Sequence, residues 1–178
     1  MKLQTRLAAK VLNNAGVISN PTDTIQGITC LPKFASSMYR LVQLKQRSNT
    51  KGLILLANDV RYFSKYVERI DLLEKIQIEA QPTTYLLKAS KSAPGLLTGE
   101  FDTIALRLTN NELIADLCSK THSALVSSSA NTSGKNSAQS VLNLKVFFKD
   151  ELDFIIAPKN YNTQASKIIN LQTGERVR

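Results

Sequence analysis

The sequence predicts one α/β domain, and three observations carry that prediction. Segments with apolar residues at helical spacing alternate along the chain with short apolar runs bounded by turn residues, as when helices interleave with strands of one sheet. The 178 residues, 43% hydrophobic and 21% charged, suffice for one sizeable core. No repeat, low-complexity stretch or linker divides them, so residues 1–178 read as a single unit.

Each element has its own signal. Leu3, Leu7, Ala8, Val11 and Leu12 recur at helical spacing, and Asn13-Asn14-Ala15-Gly16 supplies a stop. Gly16–Ser19 predicts a short strand ended by Asn20-Pro21. The hydroxyl-rich turn Pro21-Thr22-Asp23-Thr24 follows, and Ile25–Cys30 predicts a second strand. Phe34, Met38, Leu41, Val42 and Leu44 make Lys33–Leu44 an amphipathic helix, and Gly52–Ala57 is apolar enough for a buried strand. Asp59–Glu79 carries helical periodicity for two helices, Thr83–Leu87 predicts a strand, and Ser90–Gly99, with Pro94 and two glycines, a loop.

Thr103–Leu108 alternates as a strand should, with Arg107 on the face of Thr103 and Ala105. Asn110–Lys120 predicts a helix capped by Asn110. Ala124–Val126 predicts a strand running straight into Ser127-Ser128-Ser129-Ala130-Asn131. Ser137–Phe148 is weakly helical. Phe154–Ile156, Lys167–Leu171 and Arg176–Arg178 read as strands, with Gln172–Glu175 the turn of a closing hairpin.

Several chemistries are excluded by pattern. There is no Gly-x-x-x-x-Gly-Lys-Ser/Thr loop, and no Gly-x-Gly-x-x-Gly follows a strand. Cys30 and Cys118 are too few and too distant for a disulfide framework or a metal motif and read as buried thiols. His122, the only histidine, reads as structural, so a metal held by protein nitrogen or sulfur is not expected. Asp23, Glu100 and Asp102 fall in unrelated loops and form no carboxylate pair. The N-terminus lacks the apolar core of a leader, and no apolar run reaches membrane-spanning length; a cytoplasmic protein with no membrane partner is expected.

Positive charge is what the sequence offers instead. The net charge is +9, and residues 1–58 hold eight Lys/Arg against Asp23 alone. Such asymmetry suits an anionic partner, nucleotide or RNA, although a generally basic surface would show it too. Lys45-Gln46-Arg47-Ser48-Asn49-Thr50-Lys51 lies between a predicted helix and a predicted buried strand. Placed at the edge of a sheet, it would offer a guanidinium fork and ammonium charges to a polyanion. On charge alone it reads more readily as a solvated basic turn. The second stretch, Ser127–Gly134, concentrates Ser, Asn, Thr and Gly at the end of a core strand, where hydroxyls and backbone N–H groups make a neutral anion cradle. Together the two stretches point to a phosphate site.

Read as an ordered set, Pro21-Thr22-Asp23-Thr24, Lys45-x-Arg47, Phe101-Asp102-Thr103-Ile104-Ala105-Leu106-Arg107 and Ser127-x-Ser129-Ala130-Asn131-x-Ser133-Gly134 resemble the YrdC/TsaC family of threonylcarbamoyl-AMP synthases, in its short single-domain form, from about Gly16 onward. The resemblance implies an open twisted mixed sheet with flanking helices around a basic cavity. It also implies a nucleotidyltransferase that makes threonylcarbamoyl-AMP and diphosphate from L-threonine, bicarbonate and ATP, with Mg²⁺ carried by the nucleotide. The downstream partners implied are the proteins that transfer the threonylcarbamoyl group to tRNA, with direct tRNA binding a possibility.

Carried over position by position, Lys45, Arg47, Ser129 and Asn131 fall at the nucleotide and carbamate site. Lys51, Thr103 and Arg178 join Arg47 and Asn131 on the ATP side; Thr24, Arg107 and Ser166, with Ser129, fall where the amino acid is held. Two departures stand out: Gln26 replaces the usual aromatic residue, and Ala165-Ser166-Lys167-Ile168-Ile169-Asn170 keeps the serine of its motif but loses the neighbours. A noncatalytic tRNA- or rRNA-binding factor of the same fold, or a paralogue carbamoylating another acceptor, remain the alternative readings. A hydroxyl-lined pocket for threonine separates the enzyme from the RNA binder.

Overall fold

Strand alternation decides the layering. In the computed structural model, which describes residues 2–132, 134–159, 161 and 166–177, eight strands form one mixed sheet. They are β1 (Ile18–Pro21), β2 (Gln26–Cys30), β3 (Ile54–Ala57), β4 (Thr83–Lys88), β5 (Thr103–Leu108), β6 (Leu125–Ser129), β7 (Phe154–Ile155) and β8 (Lys167–Asn170). Their order is β7-β1-β2-β6-β3-β5-β4-β8, with β7 parallel to β1, β3 to β5 and β4 to β8, and the remaining neighbours antiparallel.

One face is apolar. Ile28, Leu55, Ile104, Leu106 and Val126 are all fully buried and belong to the core cluster. With them are buried Ala8 and Leu12 of helix α1 (Lys2–Asn13), Met38 and Leu41 of α2 (Ala35–Leu44), and Ile114 and Leu117 of α4 (Glu112–Thr121). Burial of each Leu or Ile stabilises the fold by about 1.5–3 kcal/mol. The alternate residues on the other face mix Ser127 and Ala105 with Ile54 and Leu56: register sets Ser127 beside Ile54 and Ile54 beside Ala105. No helical layer can pack there at comparable gain, and that face is left for a cavity.

Several boundaries differ from expectation for local reasons. The first strand begins at Ile18 and runs through Pro21, because the pairing of Pro21 with Gln26 closes the β1–β2 hairpin. Residues 59–79 form two 3₁₀ helices, Val60–Tyr66 and Ile70–Lys75; Asp59 caps the first by accepting from Arg61 N at 2.9 Å. The loop after β4 contains one turn, α3 (Gly95–Thr98). Asn111, not Asn110, caps α4 by accepting from Ile114 N at 3.2 Å. Ser140 shortens the next helix to α5 (Val141–Phe148). After β8 the chain turns back, but the pairing is a single bridge between Ile169 and Arg176 rather than a strand.

His122 ends α4 in the left-handed region, and burial pushes the thiols of Cys30 and Cys118 up to about 12. No described helix is long and apolar enough to cross a membrane.

Two glycines brace the basic segment before β3. Leu53 N donates to Leu96 O, Glu100 N to Thr50 O, and Lys51 bridges Gly99, so residues 50–53 lie directly on α3 and its flank. A Cβ on Gly52 would meet Leu97 O at 2.5 Å; one on Gly99, whose φ is +65°, would meet Thr50 O at 2.1 Å. Gly99→Ala is therefore expected to destabilise the protein by about 2–4 kcal/mol in urea titrations, through left-handed strain plus backbone collision. A loss below about 1 kcal/mol would mean that this junction yields freely.

Candidate active site

The bare face of the sheet curves around a cavity of about 410 Å³. The sequence placed the basic segment at a sheet edge. Instead β3 is central in the strand order, and the cavity lies over the sheet's face, floored by Ile54 and Leu56 of β3, Ala105 of β5 and Ser127 of β6. The reason is the alternation itself, which puts the side chains after the Ser-rich turn of β6 above the sheet rather than beyond its end. Among the described residues, two guanidinium groups, Arg47 and Arg107, and seven Ser/Thr side chains line the cavity, and no carboxylate does. That lining attracts anions and repels cations.

At one end, Arg107 is buried and spreads its fork over three hydroxyls from three segments. Nε donates to Thr84 Oγ1 at 3.1 Å, Nη1 to Thr24 Oγ1 at 3.2 Å and Nη2 to Ser166 Oγ at 2.6 Å. Thr84 and Ser166 hydroxyls lie 3.2 Å apart, and Asp23 Oδ1 sits 3.6 Å from Nη1 as its counter-ion. Strand register explains the convergence, since Arg107 of β5, Thr84 of β4 and Ile168 of β8 fall in one row across the sheet. The predicted trio Thr24, Arg107 and Ser166 is thus brought together. Thr84 was missed; a threonine facing away from apolar Tyr85 and Leu87 in a strand was the available signal.

At the other end, Lys45 is buried at the C-terminus of α2 and its Nζ points into the turn after β6. It donates to the Ser129 carbonyl oxygen, to Ser129 Oγ at 3.3 Å, and to Asn131 O and Oδ1, both at 3.0 Å. Ser129 Oγ donates in turn to Asn131 Oδ1 at 2.5 Å. The predicted basic pair and distal pair therefore meet, but Lys45 spends its donors on the loop. Burial, then the Arg47 charge, push Lys45 down to about 8, while the four oxygens around Nζ favour the charged form. Gln46 takes the left-handed conformation (φ 50°), turning the chain so that Arg47 faces the cavity.

Among the described residues the Arg47 side chain makes one hydrogen bond, Nη2 to Gly52 O at 2.9 Å. Its Nε is buried with no partner among the described residues, and burial lowers its pKa. An unpaired buried guanidinium nitrogen is costly, and this one belongs to a residue that lines the cavity.

Three predicted positions stand apart. Lys51 is exposed on the rim, bridged to Gly99, and does not line the cavity. Thr103 opens β5 on the cavity face but beyond the lining residues. Arg178 lies outside the described residues.

An open mixed sheet with helices on one face and a cationic, hydroxyl-lined cavity on the other defines an anion-binding α/β protein. A family model described as telomere recombination, Sua5_yciO_yrdC, matches residues 10–178, and the chain belongs to the Sua5/YciO/YrdC family. It is 37% identical over 180 residues to a threonylcarbamoyl-AMP synthase of Nitrosococcus oceani, covering 98% of this chain and 97% of that relative. It is 34% identical over 183 residues to one of Pseudoalteromonas translucida, covering 98% of each. The fold superposes on E. coli YciO with a TM-score of 0.83 at 22% identity, covering 100% of this chain and 89% of YciO. It superposes on P. abyssi Sua5 complexed with L-threonine with a TM-score of 0.85 at 22% identity, covering 97% of this chain. This chain spans about half of that Sua5, 52% of its length.

Proposed function

We propose that this protein is a nucleotidyltransferase that joins L-threonine, bicarbonate and ATP into threonylcarbamoyl-AMP, releasing diphosphate. One observation carries the reading: a single cavity holds two separate guanidinium stations, Arg107 amid hydroxyls and Arg47 with a free donor. Two anions must meet in this reaction, an amino-acid carboxylate and a polyphosphate, and two stations are what their meeting requires. The names of the 37% and 34% identical relatives support the same chemistry.

In this reading Arg107, Ser166 and Thr84 take the threonine carboxylate, and Thr24 orients the amino acid. The threonine amine, in its unprotonated form, adds to bicarbonate with loss of water, leaving an N-carboxylate. A carbamate oxygen then attacks the α-phosphorus of ATP and the bond to the diphosphate breaks. Arg47, with Ser129 and Asn131 held by Lys45, faces the growing charge on the phosphoryl oxygens, and no enzyme nucleophile is needed. Lys51, Thr103 and Arg178 are the remaining candidates on the nucleotide side.

Among the described residues no group of His, Cys, Asp or Glu could hold a metal. Mg²⁺ would be carried by the nucleotide's own phosphate oxygens, where it would screen their charge. The product would pass to proteins that modify tRNA.

The test is diphosphate release by the purified protein from ATP and bicarbonate, with L-threonine, with serine, and with neither. Release that needs bicarbonate and favours threonine at least about tenfold over serine is expected. Release with a different amine only, or salt-sensitive tRNA binding without release, would overturn the assignment.

A further inference from the structure

We infer that the Ser127 hydroxyl holds the carboxylate derived from bicarbonate at the place where the two substrates meet; this rests on the synthase reading above and adds a residue to it. Strand register puts Ser127 between the two stations. On the cavity face, Leu125, Leu56 and Arg107 of β6, β3 and β5 form one row, and Ser127, Ile54 and Ala105 form the next. The row after that sets Ser129 opposite Gly27, and on its β3 side Gly52, two residues before Ile54, accepts from Arg47. Rows on one face lie about 6.5–7 Å apart along the strands. The amino-acid station thus belongs to the first row and the nucleotide end to the third. Ile54, Ala105 and Ser127 represent the middle row in the cavity lining, and of these three only Ser127 is polar.

The hydroxyl is uncommitted. Ser127 is half-buried, and its Oγ makes no hydrogen bond among the described residues. Its cross-strand neighbour Thr29 does not satisfy it, since Thr29 is buried and its own Oγ1 has no partner among the described residues. Beside Ser127 the backbone of β2 is bare, because Gly27 has no side chain. The point where a Gly27 Cβ would stand is 3.3 Å from Ser127 Oγ, 3.2 Å from Thr22 Cγ2 and 3.4 Å from Ser128 O. Thr22 connects this hollow to the amino-acid station: the Thr22 and Thr24 hydroxyls lie 3.3 Å apart, and Arg107 Nη1 donates to Thr24 Oγ1 at 3.2 Å. The other face of β2 is closed. There Gln26 spends its amide, Nε2 donating to Ser19 Oγ and Ile156 O, both at 2.9 Å, and Oε1 accepting from the Tyr161 hydroxyl at 3.1 Å.

The chemistry suits the middle row. A threonine carboxylate on Arg107 carries its amine two bonds away, so the N-carboxylate formed on that amine extends toward the next row. Bicarbonate and the carbamate both present anionic oxygens, and a hydroxyl donating to an anion makes a charge-assisted bond. Ser127 donates to one carbamate oxygen and leaves the other to attack the α-phosphorus. Its own proton stays in place: addition of the unprotonated amine to bicarbonate expels water, and attack on phosphorus expels diphosphate.

The experiment measures diphosphate release with bicarbonate varied in carbon-dioxide-free buffer, for wild type, Ser127→Ala and Thr29→Val. Loss of one hydrogen bond to an anion is expected to lower kcat/KM for bicarbonate about 10–100-fold in Ser127→Ala, with the threonine and ATP KM within about twofold and the urea midpoint unchanged. Thr29→Val, which removes the neighbouring hydroxyl outside the cavity lining, should match wild type. A loss smaller than about tenfold in Ser127→Ala, an equal rise in all three KM values, or an equal loss in Thr29→Val would each overturn the role. A second arm adds bicarbonate alone and follows the NMR shifts of the Gly27 and Ser127 amides, which should move in wild type and not in Ser127→Ala. Shifts absent from wild type, or kept in Ser127→Ala, would overturn the inference. If wild type releases no diphosphate with threonine while those shifts appear and need Ser127, the synthase reading fails alone and the carboxylate subsite stands.

Discussion

Arg47→Ala is expected to lower threonine-dependent diphosphate release at least about 10²-fold while the fold stays intact or gains slightly in stability. Arg47 is half-buried, makes one hydrogen bond to Gly52, and leaves Nε buried without a partner among the described residues. In the unliganded protein that group is a cost, because a desolvated donor has given up water for nothing. Alanine removes the cost together with the only guanidinium at this end of the cavity lining among the described residues. Opposite signs in the two measurements, a lower turnover and an unchanged or higher denaturation midpoint, mark a group kept for its ligand. Turnover within about tenfold of wild type would reject the role.

Arg107→Met should behave differently. It is expected to lose both activity, at least about 10²-fold in kcat/KM for threonine, and stability, by about 2–4 kcal/mol. Arg107 is buried with hydrogen bonds to Thr84, Thr24 and Ser166 and with Asp23 as counter-ion. Methionine fills much of the volume but leaves the Asp23 carboxylate without that ion pair and takes the shared donor from three hydroxyls. Arg107→Lys should not restore activity, since one ammonium cannot span three acceptors from three segments. Steady-state kinetics with varied threonine and urea denaturation of the same samples check both halves; a wild-type threonine KM in Arg107→Met would sink the assignment.

The two arginines also show what was legible in the sequence. The elements were, because periodicity reports burial and burial is what the sheet and α1, α2 and α4 share. The set Thr24, Arg107 and Ser166 was legible only through family resemblance, since nothing local brings residues of β5 and β8 to the β1–β2 turn. That meeting depends on strand order, and strand order is written in pairings far apart in the chain. The site's location on the face of the sheet was hidden for a related reason. A run such as Ser127-Ser128-Ser129 says that a strand is polar but not what stands above it. Thr84 was overlooked because one threonine in a strand is ordinary until its partners are known. Gln26 stood out only as a departure; its buried amide has a structural reason that no sequence pattern could supply.

Lys45 leaves a last consequence. The oxygens around its ammonium are carbonyl, hydroxyl and amide oxygens, and neither Lys45 nor Arg47 forms an ion pair among the described residues. Neutral dipoles stabilise a charge locally without cancelling it at a distance. The field of Lys45 therefore survives its burial, and together with Arg47 it draws polyanions inward before any contact is made. Mobile ions in solution can screen that field over a Debye length of about 8 Å at physiological ionic strength. If the cavity takes the two substrates as proposed, capture of the nucleotide is expected to be the step most exposed to salt, whereas the other end, where Asp23 already balances Arg107, is insulated from it.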